Sequence, residues 1–243
     1  MPLPAEASGG PAWPTLDVLP GVRARVVRGM PPLVPALEAA VERHWRAACA
    51  ARALFNGQVF CADRYGPAEI EGHWTEYRRV VAGMADPALV PTLQVRSLAV
   101  CGVLCCRDGV VIGQRSHDSV YQPGLWQLPP AGSVDGGAAR EGGEVDLDGA
   151  LLAELEEELG LDAGTVGAIR PLCLVEHPTG VLDLGMQMTT PLSGADVLAA
   201  HRARGNGEYA RVAVVPAAEV VGWIAAQGGT LVPTVTQLLR RIR

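Results

Sequence analysis

One stretch of this 243-residue chain, Trp126 to Leu161, constrains the fold more than any other. Its second half predicts a single helix, with Asp148 as N-cap and Gly160 at the C-terminal end. At about 100° per residue, Leu151, Leu152, Leu155 and Leu159 fall on one apolar arc. Glu154, Glu157 and Glu158 fall on the neighbouring arc, and Glu156 points away. Residues three and four apart on a helix are neighbours, so three carboxylates share one ridge beside a face that must be buried. Like charges so close disfavour one another unless a cation or water relieves them. Hard divalent cations take such oxygen clusters. Most acidic helix faces are simply solvated, so the residues upstream decide the matter. Trp126–Pro130 reads as a short strand, and Pro129-Pro130-Ala131-Gly132 as a turn. A strand, a glycine turn, a loop and a carboxylate-lined helix form a layout suited to a metal and a phosphate.

Here the sequence resembles the Nudix hydrolase family. Glu154-Leu155-Glu156-Glu157-Glu158-Leu159-Gly160-Leu161 matches the C-terminal half of that family's box position by position. Gly132 fits the opening glycine, and Trp126-Gln127-Leu128-Pro129 resembles the usual lead-in. Two departures stand out. The box arginine is Ala153 here, and about seven extra residues separate it from Gly132. The family's first glutamate therefore has no clear counterpart, Glu144 lying nearest, one position out of register. A weaker resemblance, to the branch that hydrolyses UDP-glucose and UDP-galactose, rests on Leu54-Phe55-Asn56-Gly57, on Arg64-Tyr65 and on Leu128-Pro129-Pro130-Ala131-Gly132. The resemblance implies a mixed α/β fold, a Nudix α/β/α sandwich with a mixed sheet. A small α+β domain would precede it.

Along the chain, residues 1–16 are rich in Pro, Gly and Ala and read as a loose arm. A small α+β domain is expected over 17–94. It contains a strand near 22–27, a helix over about 33–54 and strands over 58–65 and 69–81. The second unit, 95–243, opens with a strand at 97–106 and a hairpin turn at Arg107-Asp108-Gly109. Its partner strand ends at Arg115. After the acidic helix come a hairpin over 169–189, a loop with a short helix over 193–204, a strand over 210–215 and two closing helices. His44 reads as a half-exposed helix residue, His73 as sheet packing, and Glu176-His177 as a strand-end pair facing solvent.

Net charge is −6 and the pI near 5.4, which argues against a broad nucleic-acid or membrane-surface footprint. Arginine supplies every fixed positive side chain, since the sequence has no lysine. With 49% apolar residues, the chain has ample material for a core. The six cysteines form no C-x-x-C pair, which speaks against zinc and fits a reducing cytosol. We expect no signal peptide and no membrane span, hence a cytoplasmic protein.

The resemblance implies a magnesium-dependent pyrophosphohydrolase, with manganese as a substitute ion. Its partner would be a small-molecule diphosphate, and many relatives form homodimers. Glu157 and Glu158 would hold metal, with Glu154 completing the set. Glu154 or Glu208 would act as base. Gly132, Arg115, Tyr121 and Asp183 are the candidate substrate contacts, and Tyr121 or Trp126 could stack a base. On a UDP-sugar the products would be UMP and a sugar 1-phosphate. Rival expectations are a Nudix-fold binding or sensor module without turnover, and hydrolysis of ADP-ribose, a dinucleotide or a prenyl diphosphate.

Overall fold

Strand β5 (Ser97–Cys106) is the spine of the molecule in the computed structural model, which describes residues 13–51, 53–119 and 121–242. Eight of its ten residues are buried, as expected of an apolar run covered on both faces. Before it come β1 (Thr15–Asp17), β2 (Arg23–Val26), α1 (Pro35–Ala51), β3 (Gln58–Tyr65), β4 (Glu69–Glu76), α2 (Tyr77–Ala85) and α3 (Val90–Leu93). After it come β6 (Gly109–Arg115), β7 (Trp126–Gln127), β8 (Ala131–Ser133), β9 (Glu144–Val145) and α4 (Leu147–Leu159). The remaining elements are β10 (Arg170–Glu176), β11 (Val181–Thr189), α5 (Gly194–Arg204), β12 (Tyr209–Val215), α6 (Val220–Gln227) and α7 (Pro233–Leu239).

The described strands join one mixed sheet, ordered β1-β10-β11-β5-β3-β4-β2-β9, with β6 and β8 also on β5, and β7 and β12 on β6. β11 runs parallel to β5, and β2 parallel to β4; the other ladders are antiparallel. Alternate residues of a strand face opposite sides. Leu98, Val100 and Leu104 therefore enter one core with Leu151, Leu155 and Leu159 of α4 and Val197 of α5. Cys101 and Val103 enter another, with Ile224 of α6 and Val235 and Leu238 of α7. Helices thus cover both faces of a mixed sheet, the expected α/β arrangement. A third core lies between β3 (Val59, Cys61) and the α1–α2–α3 group. Because Cys61 pairs Ser97, strands from residues 17–94 and from residue 95 onward share the sheet.

Several expectations need correcting. The strand predicted over 69–81 ends at Glu76, and α2 starts at once with no turn residue between them. Val80 and Val81 favour strands, but Tyr77, Val80 and Met84 fall at helical spacing, and that stripe packs into the third core. The first helix is shorter than predicted, at Pro35–Ala51. The segment 193–204 is not a loop with a short helix; α5 fills it, capped by reciprocal bonds between Ser193 and Asp196. Residues 1–12 of the predicted arm lie outside the described residues, whereas Thr15–Asp17 pair with β10. The long connection 133–147 builds β9, which adds an edge to β2. No helix among the described residues is long and apolar enough to cross a membrane.

Candidate active site

The acidic ridge is held by the two ends of α4 and by its leucines. Its N-cap is Asp146, not Asp148: the Asp146 carboxylate accepts the Gly149 N–H at 2.8 Å. Gly160 takes the left-handed conformation (φ 64°) that closes the last turn, as predicted. Leu147, Leu151, Leu155 and Leu159 are buried. At about 1.5–3 kcal/mol each, they contribute roughly 6–12 kcal/mol as an upper figure. That fixes which way the ridge faces.

It faces the β8 turn. Val100 of β5 pairs with Gly132, which pins that turn to the spine. Glu158 is only 2% exposed, and its Oε2 accepts the Ala131 N–H at 2.9 Å. The Glu154 carboxylate lies so close to Gly132 that a Cβ there would sit 1.7 Å from Oε1. Only glycine leaves this room. Burial raises the Glu154 carboxyl to about 7, with Glu157, Asp135 and Glu208 adding their charge. Burial, and then Glu154, raises Glu158 well above the ordinary range; the Ala131 N–H only partly opposes this. Glu157 is exposed on the outer side of the ridge, and Glu156 faces solvent as predicted. Asp135 is an acid that the sequence reading missed. It caps the turn after β8, accepting the Gly137 N–H at 2.8 Å, and its proximity to Glu154 comes only from folding.

Glu154 and Glu158 open on a cleft of about 270 Å³, which Arg115, Tyr121, Gln127, Gly132, His177, Asp183 and Glu208 also line. Arg115, expected either at the substrate or closing a strand on the surface, is 9% exposed and lines the cleft. Its guanidinium donates to Tyr121 O (2.8 Å) and Gln127 Oε1 (2.5 Å) and pairs with Glu208 at 2.5 Å. Among the described residues, Arg115 is the arginine that lines the cleft; it is bonded to Glu208, and only its charge, not a hydrogen bond, reaches Glu158. Ala153, at the arginine position of the box, is exposed. Glu144 lies on β9 and lines a separate recess, so it plays no part here.

These residues fit a hard divalent cation. Oxygen donors gather around a backbone cradle that a single Cβ would fill, and burial and mutual proximity disfavour the charged forms of Glu154 and Glu158. Among the described residues, no three acidic, histidine or cysteine side chains form a ready-made cage.

The far wall differs from expectation. His177 does not face solvent: it is 3% exposed, with Trp13 packed on its ring at 4.0 Å between centroids. Its Nε2 lies 2.7 Å from Asp183 Oδ2, and its Nδ1 lies 2.6 Å from the Tyr121 hydroxyl. Glu176 is half-buried and bonded to Tyr65 and Arg96. Trp126 is core: it packs edge-on against Trp223, and Arg211 lies over its ring. Of the two proposed stacking residues, only Tyr121 reaches the cleft. The structure therefore brings Glu154, Glu158, Glu208, Arg115, Gly132, Tyr121 and Asp183 to one cleft, whereas Glu157 is exposed and does not line it.

No family model matches the chain, and no curated protein does. Solved structures similar to it include a Deinococcus radiodurans protein, at 14% identity over 60% of this chain and 83% of that one, TM-score 0.44. Another is the NUDIX domain of Shewanella oneidensis NrtR complexed with ADP ribose, at 19% identity, 59% and 84% coverage and TM-score 0.41. A third is a C. elegans Ap4A hydrolase, at 17% identity, 58% and 92% coverage and TM-score 0.34. At these values the likeness is a partial overlap of backbones, and the functional reading rests on this chain's own residues.

Proposed function

We propose that the chain is a magnesium-dependent pyrophosphohydrolase of the Nudix type. Its substrate would be a nucleoside diphosphate joined to a second group, with a UDP-sugar as the leading candidate. One observation carries this reading: Glu154 and Glu158 are packed against the Gly132 turn, in a cleft whose arginine is already paired with Glu208. Glu158, Glu154 and the outer Glu157 are the groups that would hold magnesium. Bound there, magnesium supplies neutralisation of the diphosphate charge and a more acidic water. The Gly132 backbone leaves room for the diphosphate to approach. Glu154, which faces the cleft with no arginine partner, takes the proton of the attacking water; Glu208, paired with Arg115, is the lesser candidate. The UDP-sugar preference rests on the sequence resemblance. Of the residues that carry it, only Ala131 and Gly132 line the cleft. We take residues 17–94 as an accessory unit, which supplies Tyr77 and Met84 to the cleft wall.

The test is a panel of UDP-glucose, ADP-ribose, a dinucleotide and a prenyl diphosphate, each with magnesium and with chelator. Metal-dependent release of UMP from UDP-glucose, abolished by Glu157→Gln in a folded protein, is the expected result. Full activity in that variant would remove Glu157 from the metal set. A second reading, binding without turnover, is favoured by Ala153 in the box and by Glu144 lying apart on β9. It predicts calorimetric binding of the same ligands and no phosphate products.

A further inference from the structure

Four polar groups of the far wall take no part in the proposed hydrolysis: Thr234 at the start of α7, Asp183 on β11, His177 after β10 and Tyr121 on the 116–125 loop. Asp183, His177 and Thr234 are all buried. Asp183 Oδ2 accepts the Thr234 hydroxyl at 2.8 Å and lies 2.7 Å from His177 Nε2. An ionised carboxylate only accepts, so Nε2 must carry the hydrogen. In the neutral ring Nδ1 is then the acceptor, and the Tyr121 O–H must donate to it across 2.6 Å. Trp13 covers the imidazole and screens this arrangement from water. With its one hydrogen spent inward, Tyr121 is left with lone pairs, shared between Thr179 Oγ1 at 3.1 Å and the cleft.

We infer that Tyr121 presents the cleft with an oxygen that can only accept, its polarity fixed by Asp183 through His177, and that this oxygen recognises a hydroxyl on the group attached to the diphosphate. Phosphate oxygens are themselves acceptors and have nothing to offer such an oxygen. A sugar or ribose hydroxyl does. A prenyl chain does not, and would leave the site's polar group unpaired. The inference rests on the proposed diphosphate substrate and narrows it to a hydroxyl-bearing one. Tyr121 is the specificity residue; His177 and Asp183 are positioning residues.

Two measurements test it. Nitrogen-15 NMR of histidine-labelled protein, at a pH where the ring is neutral, should show His177 Nδ1 unprotonated. In Asp183→Asn the amide donates instead, and Nδ1 should become protonated. A wild-type Nδ1 that carries hydrogen would overturn the assignment. Calorimetry in calcium then compares UDP-glucose with the methyl ester of UDP, which lacks any hydroxyl at that end. Tyr121→Phe should weaken UDP-glucose on the order of threefold to tenfold more than the methyl ester. Equal losses on both ligands, or none on either, would refute the hydroxyl contact. This variant keeps the question decidable if Asp183→Asn does not fold. Wild-type protein that binds neither ligand would end both the inference and the proposed function. Binding without turnover would end only the latter.

Discussion

Asp63 and Glu158 are both carboxylates drawn away from water, but only one of them has a cation of its own. Asp63, on β3, takes two bonds from the Arg28 guanidinium, at 2.7 and 2.5 Å, and lies 3.1 Å from His73 Nδ1. Burial alone would raise its carboxyl, yet the Arg28 bonds and the His73 contact hold it below the ordinary range. Glu158 has one backbone N–H, and burial and then Glu154 drive it the opposite way, with the Ala131 N–H and the more distant Arg115 charge opposing only in part. The first cluster is complete within the chain and reads as structure. The second has no such bonded guanidinium, and under the proposed function a cation from outside would complete it; that asymmetry is the physical reason to propose it as a site.

Breaking the second cluster should produce the largest effect. Gly132→Ala must push the Glu154 carboxylate out of its place, since no Cβ fits beside it. Displacements of this size cost about a hundredfold in rate when they misplace reacting groups. We expect that loss in kcat/KM with an unchanged near-ultraviolet dichroism spectrum; wild-type turnover would show that the turn and Glu154 do not work together. In the first cluster the effect should fall on stability. Asp63→Asn strips a half-buried partner from Arg28 and should cost about 1–2 kcal/mol in urea unfolding, with magnesium affinity unchanged. Loss of magnesium affinity there would dissolve the distinction between the two clusters.

The smallest effect concerns pH. Burial lowers the His73 pKa in spite of Asp63 beside it. In the unfolded chain the ring titrates near 6.5, so on acidification below about pH 6.5 the unfolded state binds the proton first. The stability that the neutral ring contributes is present above that pH and is lost as pH falls through the lower folded value. His73→Phe should therefore flatten the acid side of the stability curve, measured by urea midpoints across that range. An unchanged slope would mean that the His73 ring titrates alike in the folded and unfolded protein, contradicting the lowered value.

How much of this could be read from the sequence depended on the range of the interactions involved. Strands β3 and β5 match their predicted bounds, because their side-chain pattern is local and bounded by turn residues. The ridge on α4 was legible because helical geometry alone makes residues 154, 157 and 158 neighbours. The cap was misplaced by two residues because Asp146 and Asp148 carry the same chemistry, and only the chain path chooses between them. Neither the Arg28–Asp63 pair nor the Arg115–Glu208 pair could be foreseen, since each joins residues far apart in the chain. His177 read as exposed because the residues that bury it, Trp13 and Thr234, come from opposite ends of the described chain.

The central claim is that the α4 acids hold a divalent cation. Manganese binding followed by electron paramagnetic resonance, in wild-type protein and in Glu158→Gln, tests it most directly. The account predicts a saturable site that magnesium displaces and that the variant weakens by at least about tenfold. Equal manganese binding by both proteins would contradict it.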